Sequence, residues 1–168
     1  VELAIVDTCF LINWAKFRQK NDIFNIFSKL IIPSIIYTEV RSESARSFIA
    51  RLMAEKRILL APRISQVDIL ALKIYDLINS HPSLPSIDPP EAYALALAKY
   101  LEKPLLTDNA SPRLAVEVIN EVKGVRVYDS LMLLAKLYKG NLFRRKVKEF
   151  IEDTHIFFSE KRLREYGL

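Results

Sequence analysis

Asp7 and Asp108 each close a short apolar run, Leu3-Ala4-Ile5-Val6 for the first and Pro104-Leu105-Leu106-Thr107 for the second. Glu39 follows a third run, Leu30-Ile31-Ile32-Pro33-Ser34, and Glu91 ends the tetrapeptide Asp88-Pro89-Pro90-Glu91 that opens an alanine-rich stretch. Carboxylate oxygens with no His or Cys among them are hard donors and suit Mg²⁺ or Mn²⁺, of which magnesium rests on one or two carboxylates and keeps several waters. Such an ion lowers the pKa of its water and neutralises charge on phosphoryl oxygens, so phosphodiester chemistry is what these residue types would support. Carboxylates held close together repel one another, and they stay together only by taking up protons or sharing a cation.

The elements that must position these acids can be read from periodicity. Leu3 to Val6, Leu30 to Ile32, Ile58 to Leu60, Pro104 to Thr107 and Val125 to Tyr128 read as strands. Helical spacing begins at Phe10, and Ser34 reads as the N-cap of a helix carrying Ile35, Ile36, Glu39 and Val40. Ala45 to Glu55, Ser65 to Asn79 and Ala92 to Tyr100 follow as helices, and Ser111-Pro112 starts one that runs to about Val122 before Gly124. From Asp129 the chain reads as about three helical segments. The Pro- and Ser-rich stretch Ser80 to Ser86 is a loop within the domain.

Alternating apolar strands and helices indicate a mostly parallel sheet of about five strands between helical layers, an α/β fold with its strands buried on both faces. The expected organisation is a single domain over residues 1–168, with an α/β core over 1–128 and a helical tail over 129–168 packed on it. Ligands of such sheets bind outside the carboxyl ends of the strands, which is where Asp7 and Asp108 fall.

Composition narrows the classes. A hydrophobic fraction of 51% with three glycines opposes disorder, and one cysteine, Cys9, excludes an intramolecular disulfide and favours a reducing compartment. No apolar run has membrane-spanning length, and Val1-Glu2-Leu3 lacks the basic start of a signal peptide, so a cytoplasmic location is expected. The net charge of +5 fits a polyanionic partner. No Gly-rich phosphate loop is present, and the second Asp or Lys that a small phosphatase would place after Asp7 is missing.

Ile5-Val6-Asp7-Thr8, Pro33-Ser34-Ile35-Ile36-Tyr37-Thr38-Glu39-Val40, Glu91-Ala92-Tyr93-Ala94-Leu95-Ala96-Leu97-Ala98 and Leu105-Leu106-Thr107-Asp108-Asn109 resemble, in order, the four motif regions of PIN-domain nucleases. That family includes many toxin components of toxin–antitoxin pairs. The resemblance implies a three-layer α/β/α sandwich whose acids gather in one groove, hold Mg²⁺ or Mn²⁺ and cleave RNA. It implies Asp7, Glu39, Glu91 and Asp108 as catalytic residues, with Asp7, Glu91 and Asp108 on the metal. It further implies an RNA substrate and an antitoxin-like protein as partners. Two positions depart from the family pattern: Glu91 stands where Asp is usual, and the fourth acid usually lies one position later, at Asn109. Asp108 is expected to substitute for it, with Asn109 as the alternative and Thr8, Thr107 and Asp88 as further candidates around the groove.

Each of these residues also has a plainer reading. Asp7-Thr8 is a good capping pair, Asp88 as N-cap with Pro89 at N1 and Glu91 at N3 forms a capping box, and Asp108 suits a turn. Arg41, Arg46, Arg144 and Arg145 are candidate contacts for RNA backbone, although charge runs usually form solvated faces. Trp14 and Phe10 read as core, His81 and His155 as surface. A homodimer is suggested by Leu131, Leu133, Leu134, Leu137, Phe143, Phe150, Phe157 and Phe158, which together exceed what a tail needs to cover one sheet edge. The rival to a nuclease is a degenerate PIN-like module that binds RNA or protein without cutting.

Overall fold

The structure, a computed structural model, describes residues 2–168. Its strands are β1 (Glu2–Val6), β2 (Phe27–Pro33), β3 (Ile58–Ala61), β4 (Leu105–Leu106) and β5 (Val127–Tyr128). They form one sheet in the order β3-β2-β1-β4-β5, and every pairing is parallel. The helices are α1 (Thr8–Lys16), α2 (Ser34–Tyr37), α3 (Glu43–Ala54), α4 (Ser65–Asn79), α5 (Pro89–Leu101), α6 (Ala110–Val118), α7 (Ser130–Leu137), α8 (Gly140–Thr154) and α9 (Glu160–Glu165). They surround the sheet as the expected α/β/α arrangement.

β1 is central, and Ala4, Ile5 and Val6 are wholly buried. A strand with neighbours on both edges and helices on both faces can be apolar throughout, which is why Leu3 to Val6 shows no alternation. The ladder runs on past the strand ends: Asp7 N donates to Leu106 O at 3.0 Å and Thr107 N to Tyr128 O at 3.0 Å. These bonds hold the residues just after β1 and β4 side by side at the carboxyl edge of the sheet.

An aromatic cluster joins the helical tail to this core. The Trp14 ring stacks on Phe10 at 5.4 Å and meets Phe17 at 5.5 Å and Phe150 of α8 at 6.0 Å. Trp14 and Phe10 are buried, as their place in the apolar stripe of α1 predicts. Leu131, Leu133, Leu134 and Phe150 are also fully buried within the chain's own core, and Phe143 nearly so. The excess apolar surface that suggested a homodimer is therefore used internally; of that set Phe157 stays exposed, at 79%.

Three local expectations are corrected. The helix predicted from Ser34 stops before Glu39: Ser34 is the first residue, not the cap, of the one-turn α2, Glu39 lies in the turn after it, and the separate α3 is capped by Ser42, whose hydroxyl accepts from Ala45 N. The break follows from Thr38 Oγ1, which donates back to Ile35 O at 2.9 Å, and from Arg46 Nε, which takes the Val40 carbonyl at 2.8 Å that a continuing helix would use. α6 stops at Val118, where Ile119 is extended, and a 3₁₀ turn over Asn120–Val122 replaces its last turn. β3 is an edge strand with Leu59 and Leu60 about half exposed, so burial on both faces fails there. Among the described residues no helix is long and apolar enough to cross a membrane.

Because Trp14 fills the junction of α1 and α8, Trp14→Ala lowers the unfolding free energy by about 3–5 kcal/mol. Urea denaturation followed by circular dichroism checks this; a loss below about 1 kcal/mol would mean that the tail is not docked through this side chain.

Candidate active site

Asp7 ends β1 in extended conformation and serves as the N-cap of α1. Its side chain is nearly inaccessible to solvent yet accepts four hydrogen bonds: Oδ1 from Thr8 N at 2.7 Å, and Oδ2 from Thr107 Oγ1 at 2.8 Å, Cys9 Sγ at 3.1 Å and Asn109 Nδ2 at 3.3 Å. The capping and site readings of Asp7 are thus compatible, because the two oxygens face different donors. Donors on both oxygens offset the cost of burying this group.

Glu91 approaches from α5. Asp88 caps that helix by accepting from Glu91 N at 2.9 Å, and Glu91 Oε2 accepts from Asp88 N at 3.1 Å, which completes the capping box read from the sequence. Glu91 Oε1 accepts from the Asn109 side-chain amide, so Asn109 bridges the Asp7 and Glu91 carboxylates. Burial pushes the Glu91 carboxyl up to about 7, with the Asp88 and Asp7 charges adding to it and the Asp88 backbone bond opposing it. Glu39, exposed in the turn after α2, is raised in the same direction by partial burial and by Asp88 and Asp7. The shared cause shows that these acids feel one another across one groove.

That groove, about 270 Å³, is lined by Asp7, Thr8, Cys9, Ile12, Glu39, Asp88, Pro90, Glu91 and Asn109. It lies at the carboxyl edge of the sheet. Of the expected acids it contains Asp7, Glu39 and Glu91, together with Asp88.

Asp108 is the correction. Its carboxylate faces the opposite side of the chain and accepts from Asn13 Nδ2 at 2.6 Å, Ser130 N at 2.8 Å and Ser130 Oγ at 3.0 Å. Residues leaving a strand alternate in direction, so Thr107 and Asn109 point into the groove while Asp108 between them points toward α1 and α7. Burial raises its pKa, and the Asn13 and Ser130 bonds oppose that rise. The fourth position of the groove is occupied by Asn109.

Cys9 was not anticipated as part of this site. It lines the groove and donates to Asp7, and burial with the Asp7 charge keeps it a thiol rather than a thiolate. Its place at the second helical residue after Asp7 was the available signal. Asn13, a polar residue inside the apolar run Phe10-Leu11-Ile12-Asn13-Trp14, was another. Thr8 Oγ1 is buried at the groove with no hydrogen-bond partner, and Thr107 is spent on Asp7. Arg41 and Arg46 flank the Glu39 turn and are exposed, whereas Arg144 bonds Gly167 O and Arg145 stands by Glu149 on the tail.

The carboxylate oxygens of Asp7 and Glu91, their mutual repulsion and the orphaned Thr8 hydroxyl fit a hard divalent cation with its waters. Among the described residues no group of three or more His, Cys, Asp or Glu side chains is arranged to hold a metal ion. Asp7 and Glu91 would therefore carry the ion, with water completing its shell.

A carboxyl raised from its ordinary 4.5 to about 7 gives stability that is present below the lower value and lost as pH rises through the upper one. The melting temperature of the metal-free protein should thus fall between pH 5 and pH 7.5, and Glu91→Gln should flatten that fall. Calorimetry across this range decides it; an identical pH slope in wild type and variant would show that Glu91 does not carry the effect.

No curated protein matches the sequence. Solved structures do share the fold. A toxin–antitoxin complex from Klebsiella pneumoniae is 17% identical with a TM-score of 0.53, covering 74% of this chain and 95% of that one. DNA-bound VapBC from Salmonella typhimurium is 17% identical with a TM-score of 0.54, covering 77% and 98%. FitAB bound to an IR36 DNA fragment is 16% identical with a TM-score of 0.51, covering 75% and 94%. At such identities the likeness is one of fold. Residues 3–165 match the family model described as DUF3368: PIN domain, which spans nearly the whole sequence, and the chain belongs to the PIN-domain family.

Proposed function

We propose that this protein is a Mg²⁺- or Mn²⁺-dependent endoribonuclease acting as a single domain over residues 1–168. The observation that carries the reading is the convergence of Asp7, Glu39, Asp88 and Glu91 on one groove at the carboxyl edge of a parallel sheet. Membership of the PIN family supports a nuclease fold, and the four carboxylates in the groove lining support phosphodiester chemistry.

When bound, the divalent ion supplies Lewis acidity: it acidifies a water and neutralises charge on the scissile phosphate. The Asp7 and Glu91 carboxylates hold it. Asn109 fixes the separation of those two carboxylates by donating to both. Thr107 and the Thr8 backbone amide aim Asp7 by donating to its two oxygens, and Glu39, more exposed, is the group that would take a proton from an attacking water. Arg41 and Arg46 beside the Glu39 turn suit the phosphates that flank the cleaved bond.

The three fold neighbours are a toxin–antitoxin complex, VapBC and FitAB, and on that basis an antitoxin-like protein partner and a cytoplasmic location belong to this proposal.

Glu91→Gln should lower Mn²⁺-dependent cleavage of a mixed RNA pool by about 100-fold or more while the protein stays folded. Asp7→Asn should abolish cleavage and also cost stability, because an amide cannot accept from all the donors around Asp7. Isothermal titration with Mn²⁺ accompanies both assays. Wild-type protein that binds RNA but neither binds Mn²⁺ nor cuts would replace this reading with that of a non-cleaving module.

A further inference from the structure

On the groove side Thr107 and Asn109 both donate to Asp7 Oδ2, and Asn109 donates also to Glu91, so the position of the segment that carries them sets these bonds. The anchor lies behind it. Asp108 accepts from Asn13 on α1 and from both the backbone and the hydroxyl of Ser130, the first residue of α7. Ser130 Oγ in turn accepts from Trp14 Nε1 at 2.9 Å. Ser130 and Trp14 are almost completely buried and Asn13 is nearly so.

Each hydrogen bond of this network joins a donor to an acceptor of the correct type. The Ser130 hydroxyl gives its proton to Asp108 and its lone pair to the indole, so its orientation is determined. Every group around Asp108 is a donor, so both its oxygens must accept, and an Asn at this position would turn an amide N–H against another donor. Satisfied buried networks are rigid, and one misplaced member is costly.

We infer that Asp108 is a positioning residue: turned away from the groove, its carboxylate clamps the Thr107–Asn109 segment onto α1 and α7, so that Thr107 and Asn109 are presented to Asp7 and Glu91. The backbone geometry fits this role. Thr107 N is pinned to Tyr128 O and Asn109 N donates to Thr107 Oγ1 at 3.2 Å, and the side chain of Asp108 ties the residue between them to both α1 and α7. An acid beside the site thus acts by fixing the donors of the site rather than by meeting the ion or the substrate. Its consequence for cleavage rests on the proposed nuclease function, whereas its effect on Asn109 does not.

The test uses metal-free ¹⁵N-labelled full-length protein and follows hydrogen exchange of the Asn109 side-chain amide by NMR, with RNA cleavage measured in parallel. Ser111→Ala is the control, since Ser111 is a buried hydroxyl that donates to Pro85 O and touches neither Asp7 nor Glu91. In Asp108→Asn the amide protection should fall by about tenfold, and kcat by about tenfold or more with KM within about twofold. Both readouts should be unchanged in Ser111→Ala when the proteins are compared at equal distance below their melting temperatures. Asn13→Ala removes one of the three donors and should move both readouts the same way by about threefold, which keeps the inference testable if Asp108→Asn does not fold. Protection retained in the Asp108 or Asn13 variant, or lost equally in Ser111→Ala, would overturn the inference. If the wild type does not cleave RNA, the amide readout still decides the role of Asp108, and the nuclease reading alone falls.

Discussion

Burying a carboxylate at the end of a central strand is costly unless donors surround it, and the Asp7 side chain imposes that requirement on the molecule. It is met by a helix start, a thiol, a hydroxyl and an amide drawn from two separate parts of the sequence. The parallel register of β1 with β4 brings Thr107 and Asn109 to the same edge as Asp7, so the topology and the solvation of this one group are aspects of a single arrangement. The acid most deeply placed at the groove is therefore also the best satisfied.

The remaining acids divide differently. Glu91 is half-buried and short of donors, Glu39 is exposed, and Asp88 is engaged as a helix cap. Raised pKa values at Glu91 and Glu39, with Asp7 and Asp88 among the causes of both, describe a groove whose charge is poorly compensated by the protein alone.

Much of this arrangement is legible in the residues. Apolar runs ending in an acid marked β1 and β4, and Asp88 with Glu91 marked the start of α5 through its cap. What was not legible depends on direction rather than element type. Asp108 and Asn109 both follow β4, and the reading that favoured the charged residue overlooked the alternation that sends neighbours to opposite sides. The early end of α2, before Glu39, turns on a hydroxyl back-bond and an arginine six residues beyond the carbonyl it takes, neither of which leaves a periodic trace. The exposure of Leu59 and Leu60 depends on β3 being last in the sheet, and strand order is a property of the assembled whole.

The indole of Trp14 has a further use. It is the one tryptophan of the chain, and its N–H ends the network that runs through Ser130 to Asp108. Indole emission shifts in wavelength with the polarity and hydrogen bonding around the ring. The protein therefore carries an intrinsic optical probe, silent to the surface and seated two hydrogen bonds from the loop that presents Asn109, through which the seating of α7 against the carboxyl edge of the sheet can be followed without a label.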